Sequence, residues 1–437
     1  MSSTPPRVGL YTLGCKVSQY ETEAVAEAFA AAGFEVCSFD GICDVYVVNT
    51  CTVTAESDRK SRQMIRRAIK KNPDAAVIVM GCYSQRAADE VMRIDGVDAV
   101  IGTDNKLSAV RVARELLDKK RESYLSVTDV NTADFEPMCT TRAERTRAYV
   151  KIEDGCECRC SYCAIADARG RVRSKAPADV IAEVEGLSRS GVCEIVLTGI
   201  ETGSYGRDFD YEYGLADLIR ELDSRASARR LRLGSLAPEL VGREFIEKVR
   251  DCGILAPHFH LSVQSGSDAV LRRMKRRYNS RQALDNIRMI RENIPGAAFT
   301  TDLMVGFPGE TEEDFQRTVD FAREARFIDA HVFAYSRRKG TPAADYPDQI
   351  DEATKHARSE ELIRVCRGLR DSVLSEIALR GEPLSVILET YDGEGYSAHS
   401  DSFAEVYVPL SDPNMGGEMV KVLPVSSFDG KITAKMI

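Results

Sequence analysis

Strand-length apolar runs alternate with helical stretches through most of this chain, and that alternation restricts it to parallel sheets covered by helices. Residues 7–13, 45–49 and 76–80 are the first such runs, with helical patterns at 19–32 and 58–71 between them. Residues 119–146 are polar, contain Pro137 and hold no period, which predicts a linker. The alternation then resumes with six strand candidates, at 148–153, 193–199, 231–235, 259–263, 299–305 and 330–335. Helical patterns at 177–190, 215–224, 242–252, 281–292 and 312–325 separate them, and 353–379 reads as a long closing helix. Six βα units in one sheet predict a partial or open barrel, with its chemistry at the C-terminal strand ends. Past Gly381, short runs at 384–389, 405–409 and 418–423 with Gly and Asp-Gly turns predict a small all-β domain. The expected class is α/β: an open parallel sheet, a six-unit partial barrel and a terminal β-barrel.

The 437 residues accommodate several domains, and 43% apolar with 29% charged residues is enough for full cores. The opening MSSTPPRVGLY has no apolar signal core, and no run approaches the ~18 residues of a membrane span. A cytoplasmic protein is therefore expected. Thiols stay reduced there, so regularly spaced cysteines point to metal or catalysis rather than disulfides. Thirteen cysteines call for such an explanation. A net charge of −9 argues against a general nucleic-acid coat protein while allowing local basic faces.

The densest signal is Cys156-Glu-Cys-Arg-Cys160-Ser-Tyr-Cys163, directly after the first barrel strand. Cys156, Cys160 and Cys163 are spaced C-x3-C-x2-C. Three thiolates on one short loop hold three irons of a 4Fe–4S cube and leave the fourth iron open. The alternative is a structural zinc site with Cys158 as fourth ligand; zinc's preference for four ligands makes it the weaker reading of a trio.

Three more cysteines share one setting. Leu13-Gly-Cys15, Asn49-Thr-Cys51 and Met80-Gly-Cys82 each follow a strand candidate, about one βα repeat apart. Strand C-termini line one edge of an open parallel sheet, so these thiols can converge. Any one of them alone reads as a small buried hydrophobe. Three at equivalent positions read as a second three-ligand cluster.

The C-x3-C-x2-C loop with Tyr162 resembles the radical S-adenosylmethionine superfamily over residues 145–372. The combination with a second trio resembles its methylthiotransferases over nearly the whole chain. Thr12-Leu-Gly-Cys-Lys-Val-Ser-Gln-Tyr-Glu21, Val48-Asn-Thr-Cys-Thr-Val-Thr54 and Gly81-Cys-Tyr-Ser-Gln85 most resemble the branch acting on threonylcarbamoyladenosine in tRNA. The resemblance implies two 4Fe–4S clusters, one radical and one auxiliary, and S-adenosylmethionine. It implies a tRNA anticodon stem-loop as partner, a reductant such as a flavodoxin or ferredoxin, and a sulfur donor. The C2–H bond of adenine is beyond side-chain acid–base chemistry, so cofactors must carry that step. Carried over by position, Tyr162, Thr198, Gly199, Glu201, Ser262, Gln264, Asp302 and Gly306 would serve the cofactor. For Gly306 and Gly309 an ordinary strand-to-helix turn is the competing reading. The chain departs from the family at Ala164-Ile-Ala-Asp167, at Ser18 and at Glu201. The implied domains are 5–118 with the auxiliary cluster, a linker at 119–144, the radical core at 145–372 and a TRAM-like β domain at 373–437. Rival functions are methylthiolation of isopentenyladenosine in tRNA or of a ribosomal-protein aspartate, and a non-catalytic iron–sulfur carrier or RNA-binding module.

Three basic runs point to RNA. Arg59, Lys60, Arg66 and Arg67 lie on the second helical stretch, Arg169, Arg171 and Arg173 follow the cluster loop, and Arg272, Arg273 and Arg276 form a third group. Arginines position RNA through its phosphates. The terminal β domain departs from an RNA-binding expectation: from Glu382 onward it carries nine acidic and three basic residues. It is expected to read shape or a flipped base, or only to pack.

Overall fold

Val45–Thr50 and Ala76–Gly81 are buried along their whole length, as parallel strands covered on both faces must be. In the computed structural model, which describes residues 4–118, 123–142 and 146–437, they are the central strands of a six-stranded sheet. Its members are β1 (Arg7–Thr12), β2 (Glu35–Cys37), β3 (Val45–Thr50), β4 (Ala76–Gly81), β5 (Ala99–Ile101) and β6 (Tyr124–Ser126). The order is β2-β1-β3-β4-β5-β6, all parallel. One face packs Val45, Val47, Ile78 and Met80 with Val25 and Phe29 of the helix Lys16–Ala31. The other packs Tyr46, Val48, Val77 and Val79 with Met64, Ile65 and Ala68 of the helix Ala55–Lys71.

The described part of the expected linker is therefore not all linker, because Tyr124–Ser126 pairs with β5. Residues 119–122 and 143–145 lie outside the described residues.

The chain divides into two compact units. One is built from the stretches up to Thr140, Tyr149–Lys175 and Ser336–Ala344. It contains the six-stranded sheet and a two-strand ladder of β8 (Glu153–Asp154) with β9 (Arg173–Ser174). The chain crosses between units inside β7 (Arg147–Lys151).

The other unit holds β10 (Glu194–Thr198), β11 (Arg230–Leu233), β12 (Ser235–Leu236), β13 (His258–Gln264), β14 (Ala298–Val305) and β15 (Asp329–Ala334). β10 pairs β11, and β12 through β15 pair in sequence order, all parallel. With β7, whose Arg147 and Ala148 belong to this unit, these are the six expected strand positions, the third of them split. The break is Gly234, whose N–H bonds Leu197 O at 2.8 Å; a Cβ there would stand 2.8 Å from Thr202 Oγ1. The helix Glu352–Arg380, capped by Asp351 and ended by left-handed Gly381, leads to a closed barrel. That barrel is β16 (Leu384–Tyr391), β17 (Gly395–Ser400), β18 (Glu405–Pro409), β19 (Met419–Phe428) and β20 (Lys431–Met436), in the order β16-β17-β18-β20-β19. Among the described residues no helix is long and apolar enough to cross a membrane.

Candidate functional site

β1, β3 and β4 are neighbours and end nearly level: Thr12 faces Asn49, and Thr50 faces Gly81. Cys15, Cys51 and Cys82 follow at once, so three thiols leave the sheet at adjacent strand ends, with neighbouring strands about 5 Å apart. The strand order reverses between β1 and β3, where open α/β sheets bind ligands. Two glycines let the backbones close. Gly14 has φ +123°, and a Cβ there would approach Cys51 Cβ to 3.2 Å. Gly81 has φ +102°, and its Cβ would approach Thr50 O to 2.7 Å. Cys15 is exposed, while Cys51 and Cys82 are buried.

Burial first, then the neighbouring Cys82 and Cys15, pushes the Cys51 thiol up to about 11. Burial also raises Cys82, against the pull of Arg169. Thiols that feel one another's charge are close, and iron among them would reverse the sign of that interaction. Two buried atoms beside the trio, Asn49 Oδ1 and Ser84 Oγ, have no hydrogen-bond partner among the described residues. The donor set therefore fits a cluster on three corners. No group of three His, Cys, Asp or Glu among the described residues is drawn together as around a single ion; a cube spreads its ligands over separate corners.

Cys156, Cys160 and Cys163 lie in the same unit, on a loop closed at its base by the β8–β9 ladder. Gly155, at φ +93°, has no room for a Cβ against Arg171 O. Cys156 N–H bonds Gly170 O at 3.0 Å, and Cys163 N–H bonds Cys160 O at 3.1 Å. Ile165 N–H approaches Cys163 Sγ at 3.4 Å. Cys160 is buried, and Cys156, Cys158, Tyr162 and Cys163 are half-buried.

Sequence reasoning missed a buried charge network in this unit. Glu21, on the helix after Cys15, is fully enclosed and pairs with Lys106 at 3.2 Å, Lys151 at 2.7 Å and Arg169. Asp154 pairs with Lys151 at 2.6 Å, Arg169 at 3.1 Å and Arg173 at 3.4 Å. Burial pushes both carboxyls up, but the surrounding cations, Arg169 foremost, overcome it and hold both below their usual range. Arg338 makes a further buried pair, on Asp58 at 2.8 Å and Thr52 Oγ1 at 2.6 Å, next to Cys51.

This network corrects one basic run. Arg169 is 0% and Arg173 3% exposed, so neither offers a phosphate contact. Their donors go to Glu21, Asp154 and Val130 O. Arg171 is partly exposed and bonds Asn131 O and Ala133 O. On the first run, Arg59, Lys60, Arg66 and Arg67 are exposed on the polar face of the helix Ala55–Lys71. Arg59 pairs with Glu56, and Arg67 with Asp40. A depression of about 460 Å³ beside them is lined by Arg62, Arg66, Lys70 and Arg93 together with the carboxylates of Glu90 and Asp95. Of Arg272, Arg273 and Arg276, Arg272 is exposed and the other two are half-buried. Arg273 is spent on Gly309 O at 2.6 Å, and Arg276 on Ser262 O at 2.9 Å.

The cofactor candidates other than Tyr162 lie in the second unit. Thr198 is buried at the end of β10. Gly199 follows it, half-buried. Glu201 is buried, with Oε1 accepting Ala237 N–H at 2.9 Å. Ser262 and Gln264 end β13. Gln264 is 6% exposed, left-handed at φ +68°, and its Oε1 has no partner among the described residues. That orphaned acceptor fits a bound polar molecule. Burial raises Asp302, yet hydrogen bonds to His260 (3.3 Å) and His331 (3.4 Å) hold it well below the carboxylate range. Gly306 has φ +69°, its N–H bonds Glu310 Oε1 at 2.8 Å, and the stem of Lys355 fills the space a Cβ would take. The left-handed φ and the packed Lys355 stem account for a glycine at this position.

The family model described as "Radical SAM superfamily" matches residues 150–322, and that described as "Uncharacterized protein family UPF0004" matches residues 7–102. The chain is 40% identical to the threonylcarbamoyladenosine tRNA methylthiotransferase MtaB of Bacillus subtilis, over 95% of this chain and 93% of that one. It is 36% identical to the protein of the same name from Thermotoga maritima, over 91% and 89%. It is 35% identical to the tRNA-2-methylthio-N(6)-dimethylallyladenosine synthase of Natranaerobius thermophilus, over 81% and 80%. Among solved structures it resembles the radical S-adenosylmethionine methyltransferase TsrM of Kitasatospora setae in fold, with a TM-score of 0.58, 18% identity and 78% and 77% of the two chains covered.

Proposed function

Because the chain belongs to the radical S-adenosylmethionine methylthiotransferase family, we propose that it adds a methylthio group to C2 of N6-threonylcarbamoyladenosine in the anticodon stem-loop of tRNA. The observation that carries this reading is the pair of thiol trios in one unit, one on a loop and one on three strand ends. When bound, the clusters and S-adenosylmethionine supply the 5′-deoxyadenosyl radical that opens the C2–H bond and the open iron that keeps the sulfur. Cys156, Cys160 and Cys163 are proposed as ligands of the radical cluster, and Cys15, Cys51 and Cys82 as those of the auxiliary one. Tyr162, Thr198, Gly199, Glu201, Ser262, Gln264, Asp302 and Gly306 are proposed to bind and orient the cofactor; the orphaned Gln264 Oε1 supports a polar contact there.

The exposed cations Arg59, Lys60, Arg66, Arg67 and Arg272 are proposed to hold the RNA backbone. The terminal barrel is proposed to read shape or a flipped base, or only to pack. Two of its nine carboxylates are already engaged, Glu389 by Arg147 and His399 and Glu405 by Arg370 and Lys431. Residues 5–118, 145–372 and 373–437 are proposed as the functional domains, with the edge strand Tyr124–Ser126 adding to the first sheet. A cytoplasmic setting, a flavodoxin or ferredoxin as reductant and a separate sulfur donor complete the reading. Mass spectrometry of tRNA nucleosides from cells with and without the gene tests it. The methylthiolated threonylcarbamoyladenosine should vanish with the gene; an unchanged level contradicts the substrate.

A further inference from the structure

We propose that Arg169 is a positioning residue of the auxiliary cluster: its buried guanidinium donates a hydrogen bond to the sulfur of Cys82 and so raises the reduction potential of the iron that Cys82 holds. This deepens the reading above and rests on its assignment of Cys15, Cys51 and Cys82 as cluster ligands.

The geometry is specific. Arg169 Nε stands 3.3 Å from Cys82 Sγ. The other edge of the guanidinium is fixed: Nη2 bonds Glu21 Oε2 at 3.0 Å, and Nη1 bonds Glu21 and Asp154. With both carboxylates on the Nη atoms, the Nε edge faces the thiol. The side chain is 0% exposed, so water neither competes for that donor nor screens the charge. The backbone is held as well. Arg169 ends the short helix Ile165–Arg169, and Ala168 O accepts Thr103 Oγ1–H at 2.6 Å. A planar fork with fixed donors can serve a carboxylate and a sulfur at once; a lysine ammonium offers no such second edge.

The surroundings carry charge of the same sign. Among the described residues, the ion-paired network around Glu21 and Asp154 contains four cations, Lys106, Lys151, Arg169 and Arg173, against those two carboxylates. Net charge and hydrogen bonds to the ligand sulfurs are the protein's levers on the potential of an iron–sulfur cluster. A donor bond and positive charge stabilise the more negative, reduced state. Arg169 also sits six residues past Cys163 on the chain, so the segment that carries the radical trio supplies the group that tunes the auxiliary one.

The test is an anaerobic redox titration followed by electron paramagnetic resonance, in full-length protein reconstituted with iron and sulfide. Cys156, Cys160 and Cys163 are all replaced by alanine, so that only the auxiliary signal remains. In that background R169Q should move the auxiliary midpoint to a more negative potential by about a tenfold change in the reduction equilibrium, ~59 mV for one electron. R169K keeps the charge and loses the Nε donor, and should shift in the same direction by less. An R169Q chain with full auxiliary iron and an unmoved midpoint overturns the inference. If R169Q does not fold, an unmoved midpoint in R169K overturns it instead. A background protein that takes up no iron at all overturns the ligand assignment beneath it, which is a different failure.

Discussion

The two cysteine trios proposed as cluster ligands are assembled by opposite routes. Cys156, Cys160 and Cys163 sit within eight residues of one another, and a two-residue ladder with a left-handed glycine closes their loop. Cys15, Cys51 and Cys82 are spread along the chain, and only the order β1-β3-β4 with nearly level strand ends makes them neighbours. The first trio is a property of sequence, the second a property of the sheet. A loop site tolerates change in the scaffold around it; a strand-end site fails whenever register, packing or the buried charge beneath it fails.

That contrast can be broken most sharply by removing each trio. Replacing Cys156, Cys160 and Cys163 with alanine should abolish both 5′-deoxyadenosine and the methylthio product. Replacing Cys15, Cys51 and Cys82 should abolish the product and leave S-adenosylmethionine cleavage. Liquid chromatography with mass spectrometry reads both. Next in size is the buried charge. E21Q removes the anion shared by Lys106, Lys151 and Arg169, and E194Q removes the one shared by Arg147, Arg230 and Arg232. Each should cost about 3–5 kcal/mol in thermal or denaturant unfolding, because buried cations are left unpaired. Only E21Q should also lose auxiliary iron, since Glu194 belongs to the other unit and none of its ion pairs involves a residue of the unit that holds the trios.

Acid should sharpen the same comparison. Burial pushes Glu194 up, but Arg232, Arg147 and Arg230 hold it down to about 2 from 4.5. A carboxyl depressed in the folded state adds stability that is fully present above its unfolded value and is lost as pH falls through the folded one. Unfolding measured from pH 6 to pH 2 should therefore show a loss of about 3 kcal/mol for the wild type between about pH 4.5 and 2 that E194Q lacks. The smallest effect concerns RNA. R66A/R67A should flatten the salt dependence of tRNA binding by roughly one unit of slope per lost phosphate contact. K421A/K435A in the acidic barrel should leave the slope unchanged, and an equal drop there would assign backbone contacts to that barrel.

The fold class was legible because long apolar strands and their helices have clear periods. Three-residue strands do not, so Glu35–Cys37 and Ala99–Ile101 went unread, and Tyr124–Ser126 was hidden in a segment expected to be linker. The β17 strand GYSAHS has no apolar run, and only barrel closure buries four of its six residues. The break at Gly234 reflects a close approach to Leu197 and Thr202 that no local pattern announces. Both trios were visible as spacings. What surrounds them was not: Arg169 reads as one cation in a basic run until the fold brings Glu21, 148 positions away, onto its guanidinium. Burial, the property that turns a phosphate-binding arginine into an internal one, is absent from a single run of charge.

The most direct measurement is the iron bound by three anaerobically reconstituted proteins, with cluster type read by Mössbauer spectroscopy. Wild type should carry two 4Fe–4S cubes, and each of the two triple-alanine variants should carry one. A wild type with a single cube, or a strand-end variant that still holds both, contradicts the account.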